Sequence, residues 1–114
     1  MPYRGPWTLD DQLLQQARED GRLTEWEVEF YKGNYGKHSV SEKQAPIKRR
    51  IEELTLPNPW SVPEDVLRRM VGQGLVTPWE MQFYLSNAPL RRFTAKQAVI
   101  KWRIQDNVAN SRGQ

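Results

Sequence analysis

The chain has 114 residues, 38% of them hydrophobic, with 17 Lys and Arg against 14 Asp and Glu for a net charge of +3. With a mean hydropathy of −0.81 and no apolar run near the ~20 residues of a membrane helix, it excludes a membrane-spanning helix. It has no Cys, which excludes disulfides, Cys-based metal sites and thiol nucleophiles.

The chain opens Met1-Pro2-Tyr3-Arg4-Gly5-Pro6, with no apolar signal region, so a cytoplasmic protein is expected. Residues 1–6 have no periodicity and read as a flexible arm. A first helix is predicted from the start signal Thr8-x-x-Asp11 and the apolar spacing of Leu9, Leu13, Leu14 and Ala17. Gly21 suits the left-handed residue that closes a helix. Thr24-x-x-Glu27 opens a second helix carrying Trp26 and Phe30 four residues apart, with Asn34 near its end. Gly33 and Gly36 break the chain. Ser41-x-x-Gln44 then opens a third helix with a stripe of Ile47, Ile51 and Leu54.

Residues 55–59 contain Leu56-Pro57-Asn58-Pro59, a stiff linker that is not helical. The same order then returns. Ser61-x-x-Glu64 opens a helix with Val62, Val66, Leu67 and Met70, and Gly74 closes it. Thr77-x-x-Glu80 opens the next, with Pro78 in its first turn, Trp79 and Phe83 four apart, and Asn87 near the end. After the Pro89 step, Thr94-x-x-Gln97 opens the last, with Ile100, Ile104 and Val108 in one stripe. Residues 109–114 read as a flexible tail.

The recurrence is exact in register. Residues 7–51 align with 60–104 at a constant offset of 53 and share 16 identities in 45 positions. The expected fold is therefore all-α: a tandem repeat of two three-helix units, 7–54 and 60–108, packed into one compact domain. Packing together is expected because each unit alone is small for an independent core.

Charge is distributed unevenly. Residues 1–53 carry nine Lys and Arg against ten Asp and Glu, and residues 54–114 carry eight against four. From Arg91 to Arg103 there are five basic residues and no acid, a pattern that suits a polyanion. On a helical wheel Gln97, Ile100 and Ile104 share one side of the last helix. Arg92, Lys96, Val99 and Arg103 lie on an outer flank, and Trp102 lies opposite the isoleucines. The candidate nucleic-acid-binding residues are Arg91, Arg92, Lys96, Lys101 and Arg103 for phosphates, with Trp102 as a base stacker. Trp102 has a second reading, packing against the other repeat.

Other motifs point away from chemistry. Ala17-x-x-x-Gly21-x-Leu23-Thr24 has the spacing of a helix-turn-helix. The helix that follows, however, carries Glu25, Glu27 and Glu29, which oppose phosphates, so the motif reads as a helical corner. His38 is the only His and sits in a loop. No metal set, phosphate loop or acid pair is present in the pattern. A non-catalytic protein with no cofactor is expected.

Leu23-Thr24-Glu25-Trp26-Glu27, Phe30, then Val40-Ser41-Glu42-Lys43-Gln44 and Ile47 resembles a small helical module of phage and plasmid proteins, several of them acting in DNA metabolism. That module reads Leu-Ser/Thr-x-Trp-Glu, Phe, then Leu-Ser-x-Lys-Gln. Val76-Thr77-Pro78-Trp79-Glu80, Phe83 and Phe93-Thr94-Ala95-Lys96-Gln97 resemble it too. The first helix of each copy lies outside the resemblance, and Pro78 and Phe93 depart from it. The resemblance implies a small accessory protein of a phage or mobile element in a bacterial cytoplasm. The partners expected are nucleic acid, DNA before RNA, or a bacterial host protein. The host-protein alternative would use the aromatic second helices or the acidic side of the first repeat.

Overall fold

In the computed structural model, residues 5–112 are described. They are all-helical, with six helices and no strand among them. These are α1 (Asp11–Glu19), α2 (Glu25–Gly33), α3 (Gln44–Leu54), α4 (Glu64–Gly72), α5 (Pro78–Asn87) and α6 (Ala95–Arg112). The chain divides into two compact units, Met1–Pro57 and Asn58–Gln114, at a point inside the expected linker.

In the first unit α1 packs on α2 and α2 on α3; in the second α4 packs on α5 and α6, and α5 on α6. The helix starts follow from local hydrogen bonds. Thr24 and Thr77 each accept from the amide three residues on, while Glu27 and Glu80 reach back to the Thr amides. Both are complete capping boxes. Ser41 with Gln44 and Thr94 with Gln97 make the same reciprocal pair. The first helices differ from expectation. Asp10, not Thr8, caps α1 by accepting from the Leu13 amide at 2.8 Å. Pro63 occupies the cap position of α4 with no side-chain cap bond. Gly21 and Gly74 both adopt φ +76°, and the next amide donates back to Ala17 or Met70, closing each helix. α6 continues to Arg112, so residues 109–112 are helical rather than tail, because Val108 and Ser111 hold this last turn to the unit. Residues 1–4 of the expected arm and 113–114 lie outside the described residues.

Each core is built round one indole. Trp7 is fully buried, with Tyr31 edge-on at 5.1 Å and Phe30 edge-on at 5.9 Å. Trp60 has Tyr84 at 5.0 Å, Phe83 at 6.0 Å and Phe93 at 5.6 Å. Leu14, Ala17, Ile51 and Leu54 fill the first core around this indole, and Leu67, Met70, Ile104 and Val108 the second. The buried polar groups lock helix to helix. Tyr31 accepts from the Leu9 amide and donates to Glu52 at 2.7 Å; Tyr84 accepts from the Val62 amide and donates to Gln105 at 3.1 Å. Asn34 donates to the Phe30 carbonyl and accepts from Gln44, tying the end of α2 to the start of α3. Asn87 does the same with Phe83 and Gln97.

Burial, which disfavours the phenolate, and the adjacent Glu52 carboxylate push the Tyr31 hydroxyl well above its ordinary value of 10.0. A proton held longer in the folded state than in the unfolded one gives stability that is complete below pH 10 and lost as pH rises above it. The unfolding free energy should fall through this residue by up to about 1.4 kcal/mol per pH unit above pH ~10. Urea denaturation of the wild type and Tyr31→Phe across that range checks this; the variant should lose the corresponding part of the slope.

Candidate functional site

The basic stretch of the second unit does not form one continuous contact surface. Arg91, in the bend before α6, and Lys96, in its first turn, are exposed. Arg103 has a mostly exposed side chain whose Nε lies 3.3 Å from Glu80. Arg92 is half-buried and engaged in an interaction of its own. So is Trp102, which is therefore not a freely presented stacking ring.

Lys101 is the clear correction. It is fully buried, with Nζ 5.5 Å from the Trp60 ring centre and 5.2 Å from that of Phe93. The core face of α6 runs through Ala98, Lys101, Ile104 and Val108; Ile104 and Val108 belong to the expected stripe, while Ile100 is only partly buried and Lys101 joins the interior beside it. The cation faces the negative faces of two rings, a favourable pairing when desolvated. Lys48 does the equivalent work in the first unit, over Trp7 at 5.7 Å and 3.0 Å from Glu52. An indole that recurs as core centre thus explains a lysine that recurs beside it.

Most other identities between the two copies have similar interior duties. Glu27 and Glu80 are buried, cap their helices, and pair with Arg50 at 2.9 Å and Arg103 at 3.3 Å. Thr24, Tyr31, Asn34 and Gln44, with their counterparts, serve caps and helix ties. Two shared pairs are exposed without such a duty: Trp26 with Trp79, and Lys43 with Lys96.

The tryptophans stand out. Trp26 is 61% exposed and Trp79 60%, although both belong to an apolar i, i+4 pair that suggests a core stripe. The inner face of α2 is set instead by Glu27, Val28 and Tyr31, which leaves position 26 outside it. Each indole lies nearly parallel on its phenylalanine, Trp26 on Phe30 at 5.3 Å and 23°, Trp79 on Phe83 at 5.4 Å and 22°. Because those phenylalanines lean on Trp7 and Trp60, a ladder of rings runs from the core to the surface. The outer indole is held in place before any partner arrives, which lowers the ordering cost of binding. A register clue was available in the sequence: buried Glu capping at position 27 turns Trp26 toward the open side.

Among the described residues, no group of three or more His, Asp or Glu is placed to hold a metal ion. A shallow depression of about 230 Å³ is lined by Ser61, Val62, Pro63, Gln105, Val108 and Ala109, with no titratable side chain. No described helix is long and apolar enough to cross a membrane. Comparison with known proteins finds no match to a family model, a curated protein or a solved structure.

Lys101→Glu should destabilise the protein by about 3 kcal/mol or more, since it buries a carboxylate against aromatic faces. Lys96→Glu, on the surface, should change stability by no more than about 0.5 kcal/mol. Thermal or urea unfolding of the two variants separates the core lysine from the surface one.

Proposed function

We propose that this chain is a non-catalytic interaction protein that docks partner proteins through the outer indoles of α2 and α5, Trp26 and Trp79. One observation carries the reading: both copies keep a tryptophan that is mostly exposed, braced from beneath, and not needed to fill the interior. Exposing an indole twice is costly for a soluble surface, and rigid aromatic anchors are the side chains that dominate protein interfaces. The resemblance to phage and plasmid modules adds the setting, a bacterial cytoplasm with a host protein as partner.

Immobilised wild type should capture one stoichiometric protein from nuclease-treated bacterial lysate. Trp26→Ala/Trp79→Ala should capture at least about tenfold less of it, as expected for two hot-spot anchors. Capture that is unchanged in the double variant removes the reading.

A second reading follows from the exposure of Arg91, Lys96 and Arg103: binding of nucleic acid, DNA before RNA, by electrostatic contact. With Lys101 buried, the contacts are few, so the slope of log affinity on log salt should be only about 2–3. Fluorescence anisotropy with labelled oligonucleotides checks it, and Arg91→Ala/Lys96→Ala should lower the slope by about 2. Affinity weaker than ~100 µM at low salt removes this reading.

A further inference from the structure

The two platforms have equivalent rings but different rims. Position 25 is Glu and its counterpart is Pro78; position 29 is Glu and its counterpart is Gln82. Glu25 and Glu29 are exposed and lie one turn apart on the same flank of Trp26, opposite Phe30. Arg18, 3.6 Å from Glu25 in a solvated pair, and Lys32 are the cations of this neighbourhood. They do not cancel it: with Asp20 paired to Arg22 and Glu27 buried against Arg50, residues 8–34 still carry Asp10, Asp11, Glu19, Glu25 and Glu29 against Arg18 and Lys32. Residues 88–111 show the reverse at the surface, with Arg91, Lys96 and Arg103 exposed against Asp106.

Within that basic segment Lys96, Val99 and Arg103 fall within 60° of one another on the α6 wheel, a figure of about two-thirds of a helical step. All three are exposed, Val99 by 62%. Glu80 and Asp106 are the acids nearest this stripe in the chain and along α6. An apolar side chain bordered by cations is thus displayed on one unit. An indole bordered by carboxylates is displayed on the other.

We propose that a second copy of this chain is the occupant of the Trp26 platform. The indole of one molecule lies on Val99 of the next, with Glu25 and Glu29 facing Lys96, Arg103 and Arg91. This rests on the reading of Trp26 as a docking anchor and names its partner. The contact joins two different patches, each copy offering its Trp26 rim to the Val99 stripe of another. One indole and one valine make a small patch, so the association belongs to the weak, salt-sensitive class. Trp79, with its uncharged rim, stays open along such an assembly.

Sedimentation velocity of the nuclease-treated, full-length protein from about 10 to 500 µM tests the proposal at low and high salt. The weight-average sedimentation coefficient should rise with concentration at ~20 mM NaCl and stay monomeric at ~500 mM. Glu25→Lys/Glu29→Lys and Lys96→Glu/Arg91→Glu should each be monomeric alone, weakened by about tenfold or more. An equimolar mixture of the two should associate again, because each supplies the charge the other lacks. Circular dichroism confirms that these surface variants keep their helices. A wild type that stays monomeric throughout overturns the proposal. So does association that survives either charge reversal, or one lost in Trp26→Ala but indifferent to charge, which denotes a two-fold indole contact. If the wild type is monomeric yet Trp-dependent capture of another protein persists, only this partner assignment fails and the docking reading stands.

Discussion

Everything in each unit is arranged about one buried indole. Trp7 and Trp60 present their edges and faces to a tyrosine and a phenylalanine of the second helix of the unit and to a lysine of the third, so that one ring ties two helices. A large rigid ring at the centre of so small a core leaves few alternative packings. The expense is an indole N–H that is buried with no acceptor among the described residues, in both units. A cost accepted at both sites indicates how strongly the ring shape, rather than its polar tip, determines the packing. It also sets which residues have to stay the same: the tyrosine whose hydroxyl bridges helices, the lysine over the ring, the phenylalanine that leads outward.

That constraint separates what was legible in the sequence from what was not. Capping boxes at Thr24 and Thr77, the ties at Ser41 and Thr94, and the glycine stops at 21 and 74 are local events within a few residues. They were readable, and with them the all-α class and the order of the helices. The start of α1 slipped because Asp10 competes with Thr8 for the same role and wins by reaching the Leu13 amide. Helix faces were less legible. An i, i+4 pair of aromatics at 26 and 30 reads as a core stripe, yet the tertiary choice to bury Glu27 and Tyr31 turns Trp26 outward. Lys101 was missed for the opposite reason. A lysine on a wheel is assigned to water by default, and only knowledge that two rings converge there makes an interior place reasonable.

At one interior position where the copies differ, the change is conservative in shape and large in charge. Glu52 and Gln105 occupy the same place in the tyrosine bridge, so the hydrogen bond persists while the carboxylate that pairs with Lys48 has no counterpart at 105. Lys101 lies against the rings of Trp60 and Phe93.

Outside, the pattern inverts, and this bears on function. Between the copies the rims change from Glu25 and Glu29 to Pro78 and Gln82, while the indole itself is retained at the same tilt and exposure. Had the tryptophan been a leftover of packing, drift of its rim would have removed it as well, since an exposed indole favours aggregation and contributes little to the fold. Keeping the anchor and altering its border is how one geometry serves two partners: the ring supplies affinity through buried area, and the charges around it decide which surface is admitted. An acidic rim admits a cationic face and repels phosphate, whereas a neutral rim beside Arg103 does neither. On the docking proposal, two platforms of one build that differ at their edges present the same pair of rings to two distinct surfaces.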